Sequence, residues 1–316
     1  MILLCGIPSE TPIRMVRQRL DELGADYLML NQRDFEQCAI SLEVCRGEIN
    51  GSLRVGDTSY PLDAFGSAYT RMMDDRSLPE LREEPPDSPL RRYCRGFHET
   101  LTRWLEISPA KVINRCAPMG SNSSKPYQAQ LIRAHGFLVP ETLITSNPDS
   151  VRRFLERHQR VIFKSISATR SIVQTLEEAD LDRLDNVRWC PTQFQEHVEG
   201  TNLRVHVVEN AVYATAVNTD ATDYRYAAQQ SGTPACLREV QLSDEISEMC
   251  VRLAASMGLV FAGIDLKVTP EDQVYCFEVN PCPAFSYYEG NTGQPISVGV
   301  AACLMETENK ARASVA

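Results

Sequence analysis

Two apolar segments, residues 260–269 and 273–280, constrain the fold more than any other part of the sequence. Both are rich in β-branched and aromatic residues, which favour strands. A Pro-Glu-Asp turn signal stands between them, and Glu271 and Asp272 suit the two loop positions of a hairpin. The sequence therefore predicts an antiparallel pair of strands, in which the loop length decides which side chains face each other.

With a two-residue loop, Thr269 pairs with Val274, and counting back along both strands places Asp265 opposite Glu278. Successive side chains of a strand point to opposite faces of the sheet. One face of the hairpin should therefore carry the polar residues Asp265, Lys267, Glu278 and Asn280. The other face should lie against the core with Ile264, Leu266, Val268, Tyr275, Phe277 and Val279.

Two carboxylates that face each other across a sheet repel, and the polar face needs a compensating charge. A divalent cation would supply it, and oxygen-only ligands suit Mg²⁺. The alternative is a solvated strand face on which Lys267 neutralises its acidic neighbours. The hairpin alone leaves both interpretations open.

Length and composition limit the class of protein. At 316 residues and 35.4 kDa, the chain should form two or three lobes. Its 43% apolar and 23% charged residues exclude wholesale disorder, and its net charge of −10 argues against nucleic acid as a partner. Because no run approaches about 18 apolar residues, we expect no membrane span. Eleven scattered cysteines without a Cys-x-x-Cys spacing indicate reduced thiols and a cytoplasmic location.

The first hundred residues have the pattern of an open α/β domain. Strands are predicted at 2–7, 27–30, 40–46, 52–55 and 68–72, with a helix that ends near Leu23 and a hairpin turn at Glu-Ile-Asn-Gly (48–51). A seam of small and turn residues follows at 110–122. We therefore predict an amino-terminal domain at 1–115, a central lobe at 116–195 and a carboxyl-terminal lobe at 196–316.

Beyond the seam, helices and strands restart. The predicted helices lie at 125–135, 148–158, 244–257 and from about 295 onward, and the predicted strands at 138–144, 160–165, 192–198, 202–208 and 211–217. Together with the final hairpin, this order indicates mixed α+β lobes after the first domain.

Three cations lie in places that favour anion binding. Lys164 ends an apolar strand and precedes a loop of hydroxyl residues that begins with Ser165, which suits phosphate; a lysine that extends to water from an edge strand is the alternative. Lys125 falls in the first turn of a helix, where a cation opposes the helix dipole. Arg204 stands in mid-strand between apolar residues and should have a fixed carboxylate or phosphate partner.

The order of these residues is more distinctive than any one of them. It runs Lys125 … Lys164 … Gln195-Glu196-His197-Val198 … Asn202-x-Arg204 … Asp265 … Glu278-x-Asn280-Pro281. It resembles the ATP-grasp carboxylate–amine ligases of the RimK-like branch, and most of all the microviridin-type maturases that make graspetides, ribosomal peptides closed by side-chain esters or amides. Asn122-x-x-Lys125-x-x-x-x-Gln130, Pro140-Glu141-Thr142, Asp223-Tyr224-Arg225 and Thr292-Gly293-Gln294-Pro295-Ile296 extend the resemblance over residues 111–304.

The resemblance implies an ATP-grasp fold preceded by an α/β domain, with ATP and Mg²⁺ as cofactors. It implies that Lys125 and Lys164, with Ser165 beside the latter, bind nucleotide phosphates, and that Gln195, Glu196 and Val198 bind adenine. Asn202 takes the position of a ribose ligand, where the family often has an acid. Asp265, Glu278 and Asn280 take the positions of metal ligands, Arg204 and Lys164 those of catalytic cations, and Asp223, Arg225 and Arg71 those of substrate contacts.

Three functions follow from the resemblance. The first is a maturase that activates a carboxylate as an acyl phosphate and cross-links side chains of a ribosomal precursor peptide. The second is a RimK-like amino-acid ligase that acts on a small-molecule carboxylate or amine, or on a protein terminus. The third is a nucleotide-binding scaffold without catalysis, which the complete set of lysines and acids disfavours. By analogy with relatives, we expect a homodimer.

Overall fold

In the computed structural model of the chain, the described residues are 1–165, 172–219, 232–233 and 235–313. Within them the strands are β1 (Ile2–Gly6), β2 (Tyr27–Asn31), β3 (Cys38–Cys45), β4 (Glu48–Val55), β5 (Thr58–Pro61), β6 (Ser67–Arg71), β7 (Lys111–Ile113), β8 (Thr142–Thr145), β9 (Val161–Ser165), β10 (Gln174–Thr175), β11 (Thr192–Glu196), β12 (Thr201–Val208), β13 (Ala211–Asn218), β14 (Cys236–Val240), β15 (Phe261–Val268) and β16 (Val274–Asn280). The α-helices are α1 (Thr11–Glu22), α2 (Pro89–Ile107), α3 (Cys116–Met119), α4 (Lys125–Ala134), α5 (Pro148–His158), α6 (Glu178–Leu181), α7 (Asp244–Ser256), α8 (Ser286–Thr292) and α9 (Ile296–Ala313).

A parallel sheet in the order β2-β1-β6-β7 forms the amino-terminal part of the molecule. Every residue of β1 is buried, because helices cover both faces. Leu4 packs with α1 on one face, and Leu3 packs with α2 on the other. The open α/β arrangement predicted from the sequence is confirmed.

The second, smaller sheet has the order β3-β4-β5. The turn between β3 and β4 does not lie at residues 48–51, where the sequence predicted it. The chain turns at Arg46 and Gly47, which both have positive φ (53° and 89°), and residues 48–51 belong to β4. A side chain at Gly51 would collide with the backbone oxygen of Ser41 on β3. Gly51 therefore allows β3 and β4 to lie close together, and the predicted hairpin is present but turns at Arg46 and Gly47 instead of within residues 48–51.

A third, antiparallel sheet in the order β10-β9-β11-β8 lies in the middle part of the chain and has its own small core. Val151 and Phe154 of α5 pack against Val161 and Phe194 in this core. The strand predicted at 138–144 is instead Thr142–Thr145. Leu138 exchanges two backbone hydrogen bonds with β16, and the following Pro140 has no N–H to continue a strand.

The carboxyl-terminal sheet has the order β14-β13-β12-β15-β16, and its last pair is the predicted hairpin. Asp265 faces Glu278 as predicted, but Val268, and not Thr269, pairs with Val274. The register shifts between Asp265 and Leu266, because Phe277 is an extra residue in β16. The loop is longer than predicted, and this β-bulge restores the register at the acids.

The bulge also changes which side chains of β16 reach the core. Val274 and Cys276 pack inward, where Tyr275 and Phe277 were predicted. Phe277 instead lines the cleft beside Glu278. The core-facing predictions for Ile264, Leu266, Val268 and Val279 are confirmed.

Helix α9 lies far from the amino terminus in sequence but packs against the first sheet. Its residues Ile296, Val300 and Leu304 share one buried cluster with Ile2 and Ile13. The first and last parts of the chain therefore have a common core. Within the described residues, no helix combines the length and hydropathy needed to cross a membrane.

Candidate active site

Asp265 and Glu278 face each other across β15 and β16, and each is paired with a cation from another element. Arg204 of β12 donates from Nη1 to Asp265 Oδ1 at 2.9 Å. Lys125, the first residue of α4, places its Nζ 2.6 Å from Glu278 Oε1. Lys267 does not neutralise the acids, since its Nζ donates to the Val198 carbonyl oxygen at 2.9 Å. The two carboxylates are therefore paired with Lys125 and Arg204, two of the cations for which the sequence analysis predicted an anionic partner.

The field around Glu278 keeps this side chain ionised. Burial acts to raise its pKa, but the positive charges of Lys125, Lys164 and Arg204 outweigh burial and hold the pKa of Glu278 below its usual range. Three cations and two acids thus lie around one point of the cleft. Such a point attracts a polyanion that brings its own cation.

The donor chemistry of this face fits Mg²⁺. Asp265 and Glu278 offer carboxylate oxygens, and Asn280, at the end of β16, offers an amide oxygen that now accepts the Cys282 N–H at 2.9 Å. In the described part of the chain, no three His, Cys, Asp or Glu side chains form a complete metal site. Two carboxylates and an amide suit an ion that retains waters and binds substrate phosphates, which is the habit of Mg²⁺.

A cavity lies between the central sheet and the carboxyl-terminal sheet, and it brings together five of the predicted site residues. Its walls include Lys164, Gln195, Asn202, Asp265 and Glu278. An adjoining cavity is lined by Lys125, Lys164 and Gln195. Polar groups of both lobes therefore converge on one cleft.

The end of β11 and the linker from β11 to β12 are hydrogen-bonded to residues on both sides of the cleft. The Glu196 N–H donates to the Glu141 carbonyl at 3.0 Å, and the Glu196 side chain accepts the Glu141 N–H at 2.9 Å. Val198 is buried and is tied through its carbonyl to Lys267. Of the predicted adenine contacts, Gln195 is among the residues that line the cavity between the two sheets, and adenine binding by Gln195, Glu196 and Val198 stays a prediction.

A further cavity lies on the other side of the acid pair. It is lined by Arg204, Asp265, Glu278, Asn280, Ala284, Tyr287 and Tyr288. Asp265 and Glu278 line both this cavity and the inter-lobe cavity. A group bound in one cavity can therefore meet a group bound in the other at the acids.

The remaining predicted residues lie elsewhere. Arg71 ends β6, and its guanidinium bonds Glu10 Oε1 at 2.7 Å and the Pro283 carbonyl at 3.1 Å, outside the lining of these cavities. Ser165, at the end of β9, is exposed and pairs with Thr192. Asp223 and Arg225 fall outside the described residues.

Sequence reasoning missed a buried glutamine that holds the acid-bearing strand. Gln128 of α4 donates from Nε2 to the Val279 carbonyl at 2.8 Å and accepts the Val279 N–H at 3.0 Å. The resemblance singled out Gln130, which is exposed. Helical spacing could have found Gln128, because it lies one turn after Lys125 on the same face.

A second missed amide fixes the loop after β16. Asn114 is buried, and its Nδ2 donates to the carbonyl oxygens of Phe261 and Pro281, both at 2.6 Å. Its Oδ1 accepts the N–H groups of Val260 and Phe261 at 2.8 and 3.0 Å. Asn114 therefore sets the distance between β15 and the segment that follows Asn280.

The comparisons with known proteins decide the family. A model of the RimK-like ATP-grasp domain matches residues 122–304, more than half of the chain. The chain belongs to the RimK-like ATP-grasp family. As a RimK-like ATP-grasp protein it is a ligase, and ATP and Mg²⁺ are the cofactors that ATP-grasp ligases use.

Solved structures share the fold of this RimK-like protein over nearly its whole length. A Chryseobacterium gregarium RiPP-associated ATP-grasp ligase, in complex with ADP and a leader and core peptide, has a TM-score of 0.80 at 21% identity over 96% of both chains. The ATP-grasp ligase PsnB, complexed with a minimal precursor, Mg and ADP, has a TM-score of 0.77 at 25% identity over 97% of this chain and 96% of its own.

A named relative points to a second group of ligases. A probable alpha-L-glutamate ligase of Xylella fastidiosa (strain M12) is 25% identical over 237 residues, which are 65% of this chain and 75% of that protein. The relative and the solved structures are all described as ligases, but of different kinds. The relative is called a glutamate ligase, and the Chryseobacterium gregarium protein is called a RiPP-associated ligase.

His206 should make the stability of the folded protein depend on pH. Burial, and then the charge of Arg204, lower the pKa of His206 well below its usual range, so the folded protein keeps it neutral. The unfolded chain takes up this proton below about pH 6.5, and stability therefore falls as pH falls. Between about pH 7.5 and 5.5, wild type should lose more unfolding free energy than His206→Leu, by up to about 1.4 kcal/mol per pH unit. Urea unfolding measures this, and equal losses would contradict it.

Proposed function

We propose that this ligase activates a carboxylate side chain of a ribosomal precursor peptide and joins it to an amine or hydroxyl of the same peptide. The observation that carries the proposal is the position of the acid pair. Asp265 and Glu278 lie between two cavities, with Lys164 in the lining of one and Arg204 in the lining of the other. Peptides in the named complexes of similar structures support a peptide substrate.

The chemistry needs activation because a free carboxylate has no adequate leaving group. A carboxylate oxygen attacks the γ-phosphorus of ATP, ADP leaves, and the product is an acyl phosphate. An amine or hydroxyl then attacks the acyl carbon and loses a proton, and phosphate leaves. The peptide loses one water for each bond formed.

Each step has residues that suit it. Lys125 and Lys164 would hold the nucleotide phosphates, and Arg204 would stabilise negative charge on the transferring group. Asp265, Glu278 and Asn280 would hold Mg²⁺, whose chemistry is to neutralise the phosphate oxygens. We assign the donor carboxylate to the cavity that Arg204, Tyr287 and Tyr288 line, where Arg204 would also orient that carboxylate.

The finer assignments belong to this proposal. Gln195, Glu196 and Val198 would bind adenine and Asn202 the ribose, with Ser165 near the phosphates and Arg71, Asp223 and Arg225 toward the peptide. The segments 1–115, 116–195 and 196–316 would be the three domains. A homodimer is proposed by analogy, and light scattering would test it.

The second candidate is an amino-acid ligase of the RimK type. The likeness to a probable alpha-L-glutamate ligase favours it. In that reaction the acceptor is a free amino acid, and the substrate gains the mass of that amino acid less one water, whereas ring closure within a peptide lowers its mass by one water. The two candidates therefore differ in a quantity that mass spectrometry reads directly.

The test uses the purified full chain with ATP, Mg²⁺ and a synthetic peptide from a small open reading frame beside the gene, rich in Asp or Glu and in Lys, Ser or Thr. We expect ADP release that depends on the peptide, with a peptide mass lower by one water for each ring. The control peptide carries Asn and Gln in place of the acids and should leave ADP release at background. Stimulation by free glutamate instead would establish the second candidate.

A further inference from the structure

The guanidinium of Arg204 is confined on several sides. Arg204 lies in the middle of the five-stranded sheet, directly opposite Asp265, and is 5% exposed. Its Nη1 donates to Asp265 at 2.9 Å, and its Cζ lies 5.7 Å from the centre of the Tyr288 ring. An arginine has many rotamers, so contacts of this kind select one of them.

A glycine makes room for this rotamer. Gly263 stands on β15, and a Cβ at that position would lie 2.7 Å from Arg204 Cζ and 2.7 Å from Pro283 Cβ. Because real Cβ atoms do not approach so closely, any side chain there would displace the guanidinium or the loop after β16. The guanidinium thus lies across the backbone of β15, between Gly263 and the cavity that Tyr287 and Tyr288 line.

Tyr288 is buried and packs against His206. It is 6% exposed, and its ring makes an edge-to-face contact with the His206 ring at a centroid distance of 4.9 Å and an interplanar angle of 63°. His206 is fully buried, and neither of its ring nitrogens has a hydrogen-bond partner among the residues that the structure describes. Tyr287, which precedes Tyr288 in the sequence, is instead half exposed and lines the same cavity as Arg204.

We propose that Tyr288 is a positioning residue for this ligase: its ring, backed by His206, holds the Arg204 guanidinium over Gly263 and against Asp265. The ring face of an aromatic residue attracts a cation, and in this buried place it also excludes other rotamers of the arginine. The catalytic consequence rests on the proposed function, because it assumes that Arg204 acts on the transferring group.

Two replacements of Tyr288 separate the ring from the hydroxyl. Tyr288→Leu should lower kcat for peptide-dependent ADP release by about 10- to 100-fold, since a misplaced catalytic group costs about that much, and should leave KM for ATP within about twofold. Tyr288→Phe keeps the ring and should retain kcat within about twofold. If Tyr288→Phe loses as much as Tyr288→Leu, or if Tyr288→Leu keeps full kcat, the proposal is wrong.

A control removes a comparable ring elsewhere. Phe97 of α2 is a buried aromatic residue in the core of the first sheet, away from the cleft. Its ring lies 5.8 Å from the ring of the buried His98. Phe97→Leu should lower the melting temperature about as much as Tyr288→Leu and leave kcat unchanged. A fall in kcat in both variants would show that lost stability alone explains the effect.

A double-mutant cycle asks whether Tyr288 acts through Arg204. Arg204→Lys should itself lower kcat strongly, and adding Tyr288→Leu to it should cost no more than a further twofold. If the two losses multiply, Tyr288 acts independently of Arg204 and the proposal fails.

The position of Arg204 can also be read without any reaction. In a crystal structure of Tyr288→Leu, the guanidinium should leave Asp265, whereas in Tyr288→Phe it should stay. An unchanged Arg204 in Tyr288→Leu would overturn the proposal even if kcat falls. Since no substrate is needed, this result is independent of whether the ligase acts on peptides.

Discussion

Glu278→Gln should lower ligation by at least about 100-fold while the protein remains folded. Glutamine conserves the volume of the side chain but removes the charge that would hold Mg²⁺ and that now compensates Lys125. The fold should persist because Lys125 and Glu278 are each about one quarter exposed (24% and 27%), and an ion pair of this kind contributes about 1 kcal/mol or less. Peptide-dependent ADP release measures the activity, and thermal unfolding measures the fold.

The matched control for Glu278→Gln lies in the same hairpin. Glu271 is exposed in the loop between β15 and β16, so Glu271→Gln makes the same chemical change away from the cleft. It should leave turnover within about twofold. Near-normal turnover of Glu278→Gln would mean that the metal assignment is wrong, whereas equal losses in both variants would point to the hairpin as a whole.

Gln128→Ala should damage both stability and turnover. It leaves the buried N–H and carbonyl of Val279 without their partner, at a cost of about 1–3 kcal/mol for each group. The free energy of unfolding should therefore fall by about 2–6 kcal/mol, as measured by urea unfolding. Because Val279 lies between Glu278 and Asn280, kcat should fall at least tenfold as these side chains move.

Helix α4 supplies the control for Gln128→Ala. Gln130 is the same residue type two positions later, and it is exposed. Gln130→Ala should change the free energy of unfolding by no more than about 0.5 kcal/mol and leave kcat unaltered. If Gln130→Ala is the more harmful substitution, the residue that the resemblance singled out is the functional one, and our account of β16 is wrong.

The hairpin shows how far sequence reasoning reached. Counting back from the predicted loop set Asp265 opposite Glu278, and this pairing is correct because the bulge at Phe277 compensates for a loop prediction that was one residue short. A bulge leaves no mark in a run such as Val274–Phe277, where every side chain is apolar. The pairing of the acids was therefore right, while the inward orientation of Tyr275 and Phe277 was wrong.

Long-range partners lay beyond the reach of the sequence. The pattern predicted a fixed partner for Arg204, but the identity of that partner, Asp265, depends on which strand lies next to β12. Gln128 and Asn114 are likewise ordinary polar residues in sequence, and their importance arises from bonds to backbone groups about 150 positions away. Strand order and helix docking decide such contacts, and neither follows from local pattern.

The shared core of α9 and the first sheet has a consequence for synthesis. Ile2 and Leu4 share a buried cluster with Val300 and Leu304, which follow them by about 300 positions in the sequence. Helix α1 covers part of this face of the first sheet, and the part that α9 covers stays exposed on the ribosome until α9 emerges. That apolar face would attract chaperones, and folding of the first lobe is completed only after translation of the last.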